Sequence, residues 1–117
     1  MTELASKHCV PCRGDSPRLS PDQIAPLRAE LHDDWHVHDN HHLERTFEFP
    51  DFASALAFTN KVGALAEAEG HHPDIFLAWG RVRVTLWTHQ NDGLTDSDFV
   101  LAARIDGLPV GKPASLK

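Results

Sequence analysis

The stretch from Asp51 to Glu69 constrains the fold more than any other part of this chain. Phe52, Ala55, Leu56, Thr59, Val62 and Ala66 recur at helical spacing, and Phe58 and Leu65 widen the stripe. Asp51 stands where an N-cap carboxylate accepts from the first turn. Gly70 follows at the position that favours a left-handed residue, and Pro73 blocks continuation. Such a helix has one apolar face to bury, so the segments on either side must supply the surface that covers it.

Alternation marks those segments. Leu43, Arg45, Phe47 and Phe49 alternate with Glu44, Thr46 and Glu48 until Pro50 ends the run. Trp35 to His38 reads as a shorter strand ahead of it, with a turn at Asp39 and Asn40 and with His41 and His42 at the exit. Beyond the helix, Ile75 to Trp79 is a mostly apolar strand that Gly80 breaks. Val82, Val84 and Leu86 then alternate with Arg81, Arg83, Thr85 and Trp87 in a strand that reaches His89.

Two more helices bracket these elements. Ser20, Pro21 and Gln23 make a helix start with a capping box, stapled by Leu19 and Ile24. Ile24, Leu27 and Leu31 form its apolar face, and Pro26 predicts a short helix, bent or weakly wound at that point. Thr95 and Asp98 cap a third helix, stapled by Leu94 and Phe99. Its apolar side is Phe99, Ala102, Ala103 and Ile105, and Gly107 stops it. The order α-β-β-α-β-β-α predicts an α+β two-layer sandwich, a four-stranded antiparallel sheet with three helices on one face. Residues 20–108 read as one domain. They lie between an N-terminal tail, 1–19, that holds Cys9-x2-Cys12, and a C-terminal tail, 109–117.

Composition narrows the function. A chain of 117 residues buries roughly two-thirds of its unfolded surface, enough for an ordinary core. It carries 11 Lys and Arg against 17 Asp and Glu, a net charge of −6, with no basic run to contact nucleic acid. No apolar run approaches the ~20 residues that span a membrane. The first residues lack the apolar core of a secretory signal, and two cysteines cannot build a disulfide framework, so a cytoplasmic protein is expected. The outlier is histidine: nine, against one methionine and no tyrosine. Imidazoles titrate near neutrality and bind metals, so acid–base chemistry, metal binding and simple surface enrichment are all open readings.

The strongest local pattern is Glu67-Ala-Glu-Gly-His-His-Pro-Asp74. It sets His71 and His72 at a corner just past a helix end. A hairpin returning from Trp79 would carry His89 back toward that corner, giving three groups able to give and take protons at pH 7. Trp79 and Trp87 read as packing aromatics, since an aromatic in a strand is ordinary core. Asp98 at the third helical position is equally a cap, and Glu67 equally an exposed helix residue.

Glu67-x3-His71-His72-Pro73-x5-Trp79-x9-His89, followed by Gly93-Leu94-Thr95-x2-Asp98, resembles the signature of the pterin-4a-carbinolamine dehydratase family. The Trp35 strand, the Phe47-x-Phe49-Pro-Asp-Phe52 entry to the long helix, the Ala57-to-Val62 segment and Cys9-x2-Cys12 are similar to bacterial members. The resemblance implies dehydration of a 4a-hydroxytetrahydropterin to the quinonoid dihydropterin, which recycles the pterin of aromatic amino acid hydroxylases. It implies the same sandwich fold, homodimers formed through the sheet with tetramers a further option, and no metal or organic cofactor. His71, His72 and His89 carry over as the catalytic imidazoles. Glu67, Gly70, Trp87, Thr88, Gln90 and Asp98 carry over as the substrate-binding set. Gly70 and Ile75 depart from vertebrate members, which favour an acid and an aromatic there.

Two other functions compete. One is a dimerisation or regulatory binding module. The other is a histidine-rich metal-binding protein, with Cys9, Cys12 and His8 as half of a zinc knuckle and His36, His38, His41 or His42 supplying the rest.

Overall fold

The computed structural model describes residues 18–108, so His8, Cys9 and Cys12 lie outside the described residues. Helix α1 spans Pro21–Ala29, α2 Phe52–Glu69 and α3 Asp96–Asp106; the strands are β1 His36–His38, β2 His42–Glu48, β3 Asp74–Ala78 and β4 Arg81–Leu86. The sheet is antiparallel in the order β1-β2-β4-β3. Both hairpins are therefore present, and α2 is the crossover that carries the chain from central β2 to the far edge at β3. The α+β sandwich expected from the element order is the fold observed.

Local chemistry explains the boundaries. The Ser20 hydroxyl accepts from the Gln23 backbone N–H at 3.3 Å, and the Ser20 N–H donates to the Gln23 side chain at 2.8 Å. Helix α1 continues past Pro26 but ends within a turn of it. Asp39 and Asn40 both adopt positive φ, the pattern of the tight turn whose twist suits a hairpin. Asp51 accepts the Ser54 N–H at 2.8 Å to start α2, and this bond holds the Asp51 carboxyl below the usual carboxylate range. Between β3 and β4, a Cβ on Gly80 would stand 2.8 Å from the Phe49 carbonyl oxygen, so the close approach needs glycine.

The core lies between the helices and one sheet face. Leu43, Phe47, Val82, Val84 and Leu86 point into it from the central strands. Phe58 of α2 packs on Phe47 and Phe49, with ring centroids 4.5 and 5.3 Å apart. The buried line of α2 is Ala55, Phe58, Val62 and Ala66. Phe52 and Leu56, read as part of the apolar stripe, are 45% and 40% exposed, because the helix packs over β3 and β4 with the Ala55, Phe58, Val62 and Ala66 line turned inward. Trp79, read as packing in a strand, sits in the β3–β4 turn and is 69% exposed. Helix α3 is buried nearly all round, polar Ser97 and Asp98 included.

Arg45 is a charge on the core side of β2, paired opposite Val84. Its guanidinium lies 4.2 Å from the Phe47 ring centre and donates to Asp106 Oδ1 at 2.7 Å. The same oxygen accepts the Trp35 indole N–H at 2.7 Å, and the other accepts the His32 N–H at 3.1 Å. Asp106 thus ties the end of α3 to β2 and to the approach to β1. Asp106→Ala strands the Arg45 charge and the Trp35 donor in a poorly hydrated site, and it is expected to cost about 2–4 kcal/mol. Urea denaturation at pH 7 measures it; a loss below about 0.5 kcal/mol, the range of ordinary surface changes, would contradict the role.

Candidate active site

The corner after α2 is built by its C-cap. Gly70 takes the left-handed conformation at φ 67°, and the His71 N–H reaches back to the Ala66 carbonyl at 3.2 Å. This turns the chain sharply enough for His71, His72 and Pro73 to enter β3 beside the end of β4. There, Thr88 and Gly93 bridge across a single 3-10 turn, His89–Asn91. The Thr88 N–H donates to Gly93 O at 2.8 Å, and Arg18 packs over Gly93 and donates to Asp92 O at 3.1 Å. Both loops are held by backbone bonds, and a cleft of about 370 Å³ opens between them.

Gly70, His71, His72, Trp87, Thr88, His89 and Gln90, all expected as site residues from the sequence, line this cleft, together with Pro73 and Asp74, which the sequence placed at the same corner without a site role. Pro73 and Asp74 adjoin His72, and that adjacency was the available signal. Glu67 and Asp98 do not line it. Asp98, expected against the substrate, is fully enclosed (0% exposed), because it serves both the α3 cap and the floor of the cleft.

Asp98 organises that floor. One oxygen accepts from His71 Nε2 at 2.6 Å. The other accepts the Thr88 hydroxyl at 2.8 Å and the Thr95 N–H at 2.9 Å. The Thr88 proton being engaged there, the Thr95 hydroxyl donates to Thr88 Oγ1, 2.9 Å away. Three donors, at the positive end of a helix, are what a buried carboxylate needs in place of water. The carboxylate only accepts, so the His71 proton sits on Nε2, and Nδ1 carries the lone pair in the neutral ring.

The other two imidazoles differ. His72 Nε2 donates to Glu67 Oε1 at 2.8 Å, but this pair is exposed at both ends, so the carboxylate steers His72 only weakly. Glu67 reaches the cleft only through His72. His89 is exposed, its ring centre 4.4 Å from that of Trp87. One cleft therefore holds an imidazole fixed by a buried carboxylate, one loosely paired at the rim and one resting on an aromatic wall. That arrangement can give one proton to a small ligand and take another from it.

Comparison with known proteins agrees with the fold. Residues 17–108 match the family model described as pterin 4 alpha carbinolamine dehydratase. A candidate pterin-4-alpha-carbinolamine dehydratase of Alkaliphilus metalliredigens is 53% identical over 106 residues, covering 91% of this chain and 96% of that one. One of Rubrobacter xylanophilus is 52% identical, covering 92% and 100%. Among solved structures, a transcriptional coactivator/pterin dehydratase from Brucella melitensis superposes with a TM-score of 0.71 at 34% identity, over 77% of this chain and 96% of that one. A pterin dehydratase-like protein described as a RuBisCO assembly factor in the alpha-carboxysome gives 0.56 at 29% identity, over 65% and 89%.

A second imidazole cluster lies behind Trp87, outside the cleft. His38 stacks on His42 with centroids 5.1 Å apart, His41 and His42 bring their Nδ1 atoms to 3.1 Å, and His41 and His42 both contact the Trp87 ring. His41 Nε2 donates to Asp92 at 2.9 Å, which holds the Asp92 carboxyl below its usual range. Among the described residues, no three His, Cys, Asp or Glu side chains are arranged to hold a metal ion. Burial holds His42 below the ordinary imidazole range, helped by His38 and His41 and opposed by Glu44 and Asp39. The folded state thus disfavours protonated His42, while the unfolded chain takes the proton near pH 6.5. Stability should fall as pH drops through about 6.5 toward the lower folded value. Urea midpoints at pH 7.5 and 5.5 are expected to differ less in His42→Phe than in the wild type; an equal difference would exclude this source.

Proposed function

The chain belongs to the pterin 4 alpha carbinolamine dehydratase family, and we propose that it converts a 4a-hydroxytetrahydropterin to the quinonoid dihydropterin and water. The observation that carries the reading is the pairing, in one cleft, of an imidazole anchored on a buried carboxylate with a second, exposed imidazole. The C4a hydroxyl is a poor leaving group and must depart as water, so it needs a proton as the C–O bond breaks. The N5 proton must leave as the C4a=N5 bond forms. Two imidazoles in opposite protonation states meet both needs.

His71 is the base in this proposal. Its Nε2–H is engaged on Asp98, its Nδ1 accepts the N5 proton, and the carboxylate stabilises the imidazolium that forms. His89, as imidazolium, delivers the proton to the leaving hydroxyl. His72 at the rim positions the ring, and Trp87 lines the wall beside it. Asp98 and Thr88 are positioning residues, since Asp98 is enclosed and Thr88 is turned onto it. The chain's own side chains account for every proton, and the reaction as written uses no cofactor. The product would return to aromatic amino acid hydroxylases in the cytoplasm. Formation of the quinonoid product, followed by its ultraviolet absorbance, tests the reading. His71→Ala and His89→Ala are each expected to lower kcat by about 10²-fold or more, against weaker binding in His72→Ala. Turnover lost in His72→Ala with binding intact would overturn the division of roles.

The free edge of β3 supports a homodimer. This outer strand presents Ile75, Phe76 and Leu77 with no lysine or proline among them, and Phe76 is 45% exposed. Edge-to-edge pairing of β3 with a second copy would join the two sheets. Sedimentation at micromolar concentration should give a dimer that Phe76→Lys converts to monomer; a monomeric wild type would overturn this.

A further inference from the structure

We infer that Asp74 selects the substrate's ring, reading its 2-amino-4-oxo edge and so restricting the cleft to pterins. The inference rests on the pterin reading above and extends it to a residue that neither the sequence motif nor the acid–base roles use. Asp74 opens β3, opposite Thr85 on the open face of the sheet, where the alternation of the strand turns its side chain away from the core. It lines the cleft and is exposed, and its carboxylate has no hydrogen-bond or ion-pair partner among the described residues.

The other polar groups of the cleft are committed or of the wrong kind. His71 is engaged on Asp98, His72 is weakly paired with Glu67, the Thr88 hydroxyl is turned inward, and His89 is the proposed acid; no imidazole offers two parallel acceptors. Gln90 offers one acceptor and one donor group. Asp74 is the one carboxylate among the described lining residues. A pterin carries N3–H and its exocyclic amine side by side, two parallel donors at one edge. Two carboxylate oxygens match such a pair as they match a guanidinium fork. Held there, the ring presents its opposite edge, with N5 and C4a, toward the imidazoles. A 2,4-dioxopteridine carries an oxygen in place of the amine and would set it against the carboxylate.

The test is the affinity of pterin and of lumazine, its 2,4-dioxo analogue, read from their own fluorescence. The proteins are wild type, Asp74→Asn and His71→Ala, each checked for an unchanged melting temperature. Wild type should favour pterin by about tenfold or more, the usual worth of a charge-assisted pair. Asp74→Asn should weaken pterin by about tenfold without weakening lumazine, because its amide supplies one donor and one acceptor. His71→Ala should keep the wild-type preference while losing turnover. Equal affinity of wild type for the two rings, or an unchanged preference in Asp74→Asn, would overturn the assignment and leave the dehydratase reading standing. A wild type that bound neither ring would overturn both.

Discussion

The site depends on one buried charge. Asp98 is wholly withdrawn from water, and a carboxylate in that position survives only if donors replace the hydration it gives up. Its donors come from three parts of the chain: His71 from the corner after α2, Thr88 from the end of β4, and the Thr95 N–H from the start of α3. Satisfying the charge and assembling the floor of the cleft are the same event. If any one of these segments moved away, a buried acceptor would be left short of a partner, at a cost of about 1–3 kcal/mol out of the roughly 5–15 kcal/mol that holds an ordinary domain folded. The His71 ring is thereby anchored on an enclosed group although it borders an open cleft.

Helix α3 carries a carboxylate of this kind at each end. Asp98 lies in its first turn, where the helix dipole favours negative charge. Asp106 lies at the last, where the dipole opposes it, and there the Arg45 guanidinium and the Trp35 indole N–H offset the mismatch. With both ends fixed to the sheet and its surface buried nearly all round, α3 has little freedom to shift. The rigidity of the cleft floor is inherited from this helix and from β4, and the loops that carry His71 and His89 are closed by backbone bonds on top of it.

Much of this was legible in the residues. Caps are local chemistry, so Ser20, Asp51, Thr95 and Gly70 marked the helix ends, and alternation marked both hairpins. Strand order was not legible, because nothing local says that β2 will pair with β4. The same limit explains Phe52, Leu56 and Trp79. Periodicity reports that a helix has an apolar stripe and a strand an apolar face, but the rotation of the one and the end of the other are settled by what packs against them. Asp98 was visible both as a cap and as a site residue. That it is both, by facing inward, is a three-dimensional fact, since its second oxygen and its first serve different neighbours. Asp74 closes the Glu67-to-Asp74 pattern, but adjacency to His72 was its one signal, and an exposed carboxylate gains a role only once a cleft is found around it.

Histidine content shows why counts of a residue type carry so little functional information. Nine imidazoles read alike in a composition table. In space, His71 faces a buried carboxylate, His72 a solvated one and His89 an aromatic ring, while His38, His41 and His42 face one another behind Trp87. Burial, with His38 and His41 beside it, disfavours charge on His42, whereas the His71 ring is hydrogen-bonded to an enclosed carboxylate. Acid–base chemistry needs such inequality: a base and an acid of the same residue type can coexist at one pH only if their surroundings set them apart. The indole between the two groups keeps the crowded imidazoles on one side and the cleft on the other. The fold's contribution to reactivity is thus less the gathering of histidines than the assignment of a different neighbour to each.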